Sequence, residues 1–241
     1  VAARSPRGFG QYSGVARAIE RVGERWALLI VRDLLVGPRR YGDLKSSLPR
    51  IPTNILADRL KELQESGVVR RVPTVRGGYE LTPLGRELEP VVVALERWGW
   101  SVLGEPGDEE LLSHEALVFA LRSAFRADAA AVEPATEYVL HVGRASVAAV
   151  VDGGTLDVVP IGPDAVPQPR PSAGAGAATA SVEFALEPAE LRDLIAGRAD
   201  AATVPVLAGD ADGVARFART FRIDPVHPPE DAVGGAAASV A

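Results

Sequence analysis

Through residues 1–100 the apolar positions recur mostly at helical spacing. Val15, Ile19 and Val22 share one face, and Val15–Gly23 is predicted as a short helix. Glu24–Val36 is strongly apolar and stops at Gly37-Pro38, which predicts a second, buried helix. Tyr41, Leu44 and Leu48 mark a third, ended by Pro49. Leu56, Leu60 and Leu63 form the stripe of a fourth, with Thr53 as its predicted N-cap and Gly67 as the residue just past its end. Val68–Val72 and Tyr79–Thr82 alternate like a hairpin with Arg76-Gly77-Gly78 at the tip. A longer helix is predicted from near Pro83 to about Trp100, carrying Leu84, Leu88, Val91, Val92, Leu95 and Trp98.

Beyond Gly104-Glu105-Pro106-Gly107-Asp108 the grammar changes. Leu111–Ala127 is predicted as a helix, and Glu137–Val142, Ser146–Val151 and Thr155–Ile161 as strands, the last two joined by Asp152-Gly153-Gly154. Residues 162–178 are rich in Pro, Gly and Ala and predict a loop. Thr179–Leu186 follows as a strand, then a helix from Pro188 to Gly197, an extended Thr203–Leu207 and an amphipathic Asp212–Phe221. The expected organisation is a flexible N-terminus (1–12), a helix-rich first domain (13–103), a linker (104–112), a second domain (113–223) and a disordered tail (224–241).

Charge divides the chain at the same place. The formal charge is −6, yet residues 1–100 hold 17 Lys and Arg against 11 Asp and Glu, and residues 101–241 hold 9 against 21. The first part is compatible with a polyanionic partner, the second is not. With no cysteine, thiol redox sensing and thiolate zinc sites are excluded. His114, His141 and His227 have no metal-ligand spacing, so neither a metal nor a cofactor is expected. The longest apolar run is the six residues Trp26–Val31, too short for a membrane span, and residues 1–12 lack the apolar core of a secretory signal. A cytoplasmic, nucleoid-associated protein is the expectation. No nucleophile–base pair or phosphate-binding glycine loop stands out, so no enzyme activity is expected.

The order helix, tight turn, helix, basic hairpin is how a winged helix-turn-helix presents its second helix to the major groove. Thr53, Asn54, Ala57 and Asp58 occupy the first turns of that helix. Asn can bond adenine bidentately, Asp can accept from cytosine, and Thr or Ala can touch a thymine methyl. Asp58 has a bland alternative, a local ion pair with Lys61 or Arg59. Arg59 and Lys61 lie on the flanks, suited to phosphates. Arg39, Arg40 and Lys45 surround the third helix, while Arg70, Arg71 and Arg76 sit on the hairpin, where Arg70 and Arg71 cannot both face DNA from one strand.

Residues 13–100 resemble the HxlR family of bacterial winged helix-turn-helix regulators. The resemblance is carried by Val22-Gly23-Glu24-Arg25-Trp26, Leu29-Ile30-Val31-Arg32-Asp33-Leu34, Gly37-Pro38-Arg39-Arg40-Tyr41-Gly42-Asp43-Leu44, Ile51-Pro52-Thr53-Asn54-Ile55-Leu56-Ala57-Asp58-Arg59-Leu60 and Tyr79-Glu80-Leu81-Thr82-Pro83-Leu84-Gly85. It implies a homodimer on a two-fold operator, its first and last helices paired, with Val15, Ile19, Val91, Leu95 and Trp98 divided between core and dimer interface. Ser13 stands where many relatives carry a cysteine, which removes redox sensing by that residue. The short wing at Pro73–Gly78 also lacks the proline and tyrosine usual in the family.

Residues 113–223 resemble the sterol-carrier-protein-2-like fold, through Ala180-Ser181-Val182-Glu183-Phe184-Ala185-Leu186 with Pro188, Leu191, Leu194 and Ala196-Gly197, and Leu207-Ala208-Gly209-Asp210 before Phe217 and Phe221. The fold class expected is α+β, a winged helix-turn-helix domain followed by an α/β sandwich. The resemblance implies an apolar tunnel for a hydrophobic effector, lined by Leu117, Leu121, Phe125, Val147, Ala149, Val158, Phe184, Leu191 and Phe217. The alternative for each is plain core. His141, in a strand, is either a ligand anchor or a satisfied structural histidine. Three functions stay open at this stage: an effector-controlled DNA-binding regulator, a ligand-independent DNA-binding protein whose second domain serves oligomerisation, and a lipid-handling carrier or enzyme using the winged part for protein contacts.

Overall fold

The computed structural model describes residues 8–72, 78–107, 109–163, 165–166 and 178–224. Four helices open the chain: α1 (Gly14–Val22), α2 (Ala27–Val36), α3 (Tyr41–Ser47) and α4 (Thr53–Glu65). Helix α2 is the central one, with Ile30, Val31, Leu34, Leu35 and Val36 all buried. Leu56, Leu60 and Leu63 turn one face of α4 into the same core, as their spacing predicts, and α4 packs on α1 and β1. Thr53 is not the cap of α4. Pro52 takes that position in extended conformation and Thr53 is the first helical residue. The other end follows the prediction: Gly67 adopts φ +75, Val68 N donates to Leu63 O at 2.9 Å, and Gly67 N to Gln64 O at 3.0 Å. This double bond closes a helix on a left-handed residue, a conformation that glycine adopts without a Cβ penalty.

Strands β1 (Val69–Val72) and β2 (Gly78–Leu81) pair antiparallel, Val69 opposite Leu81 and Val72 opposite Gly78. Arg39 extends this wing through backbone bonds in both directions with Tyr79, at 3.0 and 2.8 Å. The long helix expected after the wing is two helices, α5 (Pro83–Arg86) and α6 (Glu89–Trp100). Pro90 is the reason. It has no N–H to offer the carbonyl of Arg86, and its ring would collide with that carbonyl in a continuous helix; at the second position of α6 it is harmless.

Thr82 caps α5, its Oγ1 accepting from Gly85 N at 3.1 Å while donating to Gly67 O at 2.6 Å. Gly85 lies against the wing so closely that a Cβ would sit 2.2 Å from Val68 O. Gly85→Ala is therefore expected to cost about 1–3 kcal/mol or more, because the obstacle is backbone and cannot rotate away. A urea melt would measure it, and an unchanged midpoint would show that the wing can shift without cost.

The second half begins with α7 (His114–Ala124), capped by Ser113, whose Oγ accepts from Ala116 N at 3.1 Å. The short helix α8 (Ala127–Ala130) follows. Five strands then form one sheet: β3 (Thr136–Val142), β4 (Ala145–Asp152), β5 (Thr155–Pro160), β6 (Ala180–Leu186) and β7 (Val206–Gly209). Their spatial order is β5-β4-β3-β6-β7, with β3 and β6 parallel and every other pair antiparallel. Helix α9 (Pro188–Ile195) connects β6 towards β7, and α10 (Gly213–Thr220) closes the chain's described part. Between α9 and β7, Ala201–Thr203 make a 3-10 turn where an extended segment was expected from Thr203.

Period-two alternation governs the sheet. Thr136, Tyr138, Leu140 and Val142 point inward from β3, and Val182, Phe184 and Leu186 from β6. Helix α7 is buried nearly all round because it packs on β4 and β5 on one side and on α2 and α6 on the other. The two halves consequently share one apolar core. Arg97 Nε donates to Ser123 O at 2.8 Å and Arg122 pairs with Glu89 at 3.2 Å across the same junction. The architecture is α+β.

Candidate nucleic-acid interface

Helix α4 buries its leucine stripe and leaves Thr53, Asn54, Ala57, Asp58 and Lys61 exposed on the opposite side. Its start is held by α3: Tyr41 OH donates to Thr53 O at 2.7 Å, and Lys45 Nζ to Pro49 O at 3.1 Å and Ile51 O at 2.7 Å. Lys45, expected at a phosphate, is thus a staple of the α3–α4 turn. The cations proposed as local partners of Asp58 are engaged elsewhere, Lys61 with Glu65 at 3.9 Å and Arg59 with Glu62 at 2.5 Å. The Asp58 carboxylate faces solvent on the reading side of the helix.

Two more of the expected phosphate contacts need correction. Arg39 is only 2% exposed, and its Nη2 lies 3.2 Å from Glu115 Oε1 on α7. Its backbone is committed to Tyr79, which turns the side chain into the protein while Arg40 stays outside. Arg59 is half-buried and lies between Glu62 and Glu24, the latter at 3.3 Å. It braces α4 on the α1–α2 turn. On the wing Arg70 is exposed and pairs with Glu80. Arg71 is exposed as well, its Nη2 donating to Tyr79 OH at 3.3 Å, with the guanidinium 5.5 Å from the Tyr79 ring centroid. Arg76 lies outside the described residues.

Beneath this surface sits a buried charge network that the sequence reading did not find. Asp33, fully buried in α2, accepts from Arg32 Nε at 2.9 Å, Arg32 Nη2 at 2.8 Å and Ser47 Oγ at 2.5 Å. Burial pushes its carboxyl above the usual range, against the pull of Arg32. A charged pair inside the apolar run Leu29–Val36 was the available signal, since a buried charge demands a partner.

Apolar side chains also stand exposed on α1 and on α6. Val15 (70% exposed), Ile19 (46%), Val91 (47%), Leu95 (43%) and Trp98 (59%) all face outward in the single chain, as does Val102 just past α6. None of the five is core.

The expected tunnel in the second half is corrected too. Leu117, Leu121, Val147, Ala149, Val158, Phe184, Leu191 and Phe217 are all buried, and Phe125 is half-buried. Tyr138, Phe184, Phe217 and Phe221 interlock with ring centroids 4.5–5.8 Å apart, and Phe125 joins at 5.9 Å. These rings fill the space between sheet and helices as a core. Of the nine residues, Leu191 alone reaches the cleft described below.

The register of β3, β4 and β6 also assembles a polar ladder. His141 Nδ1 lies 2.9 Å from Ser146 Oγ, and Nε2 lies 2.9 Å from Glu183 Oε1. All three stand on the outer face of the sheet and none lines that cleft. The arrangement satisfies both ring nitrogens, which is the structural reading of this histidine. Among the described residues no group of three or more His, Asp or Glu could hold a metal, and no helix is long and apolar enough to cross a membrane.

The HxlR-like helix-turn-helix model matches residues 21–106. YvaP, an HTH-type transcriptional regulator of Bacillus subtilis, is 37% identical over 86 residues, which cover 34% of this chain and 80% of YvaP. The chain belongs to the HxlR-like helix-turn-helix family. An HTH-type transcriptional regulator of Mycobacterium tuberculosis is 45% identical over 96 residues, 38% of this chain; the match spans 60% of that relative's length. The reduced form of the regulator YodB from B. subtilis aligns at 32% identity with a TM-score of 0.34, over 41% of this chain and all of YodB. The HxlR-like match takes in α2 to α6 and the wing, and ends before α7 and the five-stranded sheet.

Proposed function

We propose that this chain is a transcriptional regulator that binds a two-fold DNA operator as a homodimer. The observation that carries this reading is the open face of α4, where Thr53, Asn54, Ala57 and Asp58 stand exposed on a helix braced at its start by Tyr41 and Lys45. A helix so presented enters the major groove with its first turns towards the base edges. Arg40, Lys61 and Arg71 flank it as phosphate contacts, while Arg70, on the other side of the wing strand, is taken up by Glu80. Membership of a helix-turn-helix family and the basic balance of residues 1–100 support the same reading. So do the exposed apolar side chains of α1 and α6, of the kind two copies cover.

The chain divides, on this reading, into a DNA-binding unit at 13–103 and a second unit at 113–223, joined by 104–112. The relatives named above are regulators, and nothing in the site calls for catalysis. The test is a gel shift on the upstream region of the protein's own gene at rising salt. Specific binding that survives moderate salt is expected, and its absence there would sink the proposal. Arg40→Ala and Arg71→Ala should weaken binding similarly on all sequences, each lowering the salt slope of the dimer by about 2, one contact from each protomer, whereas Asn54→Ala should relax discrimination at one base pair of each half-site by about 1–3 kcal/mol. Equal loss on all sequences from Asn54→Ala would exclude it from base reading.

A further inference from the structure

The two halves do not meet flush. Between them lies a cleft of about 630 Å³, within the range of small-molecule sites, about 300–1,000 Å³. One wall is α2 and α6, with Leu29 and Val92; the other is α7 and α9, with Ala116, Ala120, Pro188 and Leu191. The rim is braced by Arg192, which donates to Gly104 O at 2.5 Å and pairs with Glu105 at 2.8 Å, and by Arg50 with Glu109 at 2.9 Å.

Besides Arg50, Glu109, Glu110 and Arg192, the charged side chains of the lining are Arg32 and Glu96. Arg32 lines the cleft, but its Nε and Nη2 are both spent on Asp33. Glu96, also on the wall, accepts from Trp100 Nε1 at 3.1 Å on one oxygen. Burial holds its carboxyl above the usual range, against the Trp100 donation and the charge of Arg32. Trp100 takes one oxygen of Glu96 and leaves the other open, while Arg32 is turned onto Asp33. Away from the rim the wall therefore welcomes a hydrogen-bond donor.

We propose that this cleft binds a largely apolar small molecule carrying one hydrogen-bond donor. Its apolar part lies against Leu29, Val92, Ala116 and Leu191, and its donor faces Glu96. Occupancy also acts on DNA affinity, because Leu48, Pro49 and Arg50 of the same lining lead directly into α4, and Leu95 belongs to the stripe of α6. This second step rests on the regulator reading; the binding itself does not.

N-phenyl-1-naphthylamine is a fitting probe, with two ring systems and one N–H. Titrated into the full chain without DNA, it should show saturable fluorescence at one dye per chain, with energy transfer from Trp26 and Trp100 on the cleft wall. Ala116→Trp and Ala189→Trp fill the cleft from two different helices of one wall, and each should weaken binding about tenfold or more while leaving the far-ultraviolet circular dichroism unchanged. If one of the two fails to fold, the other decides. Glu96→Gln should weaken the amine about threefold or more and leave the hydrocarbon 1-phenylnaphthalene unaffected.

Absence of saturation overturns the proposal. So does saturable binding that both fillings leave intact, which would place the dye on the exposed apolar side chains of α1 and α6 instead. At saturating dye the operator affinity should shift about threefold or more; cleft binding with no shift would overturn the coupling step. Failure of the dye-free gel shift would refute the regulator reading separately, since the titration contains no DNA.

Discussion

Replacing Asp33 with alanine is expected to cost about 3–5 kcal/mol, the penalty for leaving one member of a buried ion pair without its counter-charge. Three donors end on this carboxylate, two from Arg32 and one from Ser47, which ties the end of α3 to the centre of α2. Domains of this kind are stable by about 5–15 kcal/mol, so the loss would be a large share of the total. Urea unfolding measures it directly. Ser47→Ala should lose only about 1 kcal/mol, because Arg32 still faces Asp33. Changing both members of the pair together, Arg32→Met with Asp33→Leu, should recover most of the deficit. The pair costs more to bury than an apolar replacement of similar size, while half a pair costs most of all. A double variant as unstable as Asp33→Ala would instead locate the loss in packing, and a small effect of Asp33→Ala would show that water reaches Arg32.

The winged half was legible in the sequence because its signals are local. Leucines three and four apart, Gly37-Pro38, Pro49 and Gly67 mark faces and ends that each segment carries by itself. Pro90 was local too, and it overrode an otherwise continuous apolar stripe from Leu84 to Trp98. What the sequence could not convey was which side of a backbone faces the other half. Arg39 and Arg40 read alike as surface cations after a turn. Only the pairing of Arg39 with Tyr79 turns its side chain inward, onto a glutamate of α7. Residues that fill a core and residues that line a pocket have the same composition, and Phe184 and Phe217 became core because their rings meet. The cleft exists only where α2 and α6 face α7 and α9, a juxtaposition that no single segment encodes.

A chain carrying Ile19→Glu and Trp98→Glu is expected to lose operator affinity by about 100-fold or more while remaining folded as a monomer. Both side chains are exposed in the single chain, at 46% and 59%, so replacing them removes little from its core. In a dimer built on α1 and α6 the same positions would be covered in both copies, and a charge there would meet the partner's apolar side chains. Four buried, unpaired carboxylates per dimer far exceed what an interface of ordinary size can carry. Operator affinity follows because two linked reading helices turn the second half-site contact into an intramolecular event, a gain of about 10²–10⁴ that a monomer forfeits. Sedimentation velocity should show the parent as a dimer and the variant as a monomer at the same concentration. The salt slope should fall to about half, since a monomer neutralises half the phosphates. A variant that still sediments as a dimer would move the interface elsewhere, and a monomer that kept full affinity would mean that one α4 reads the operator alone.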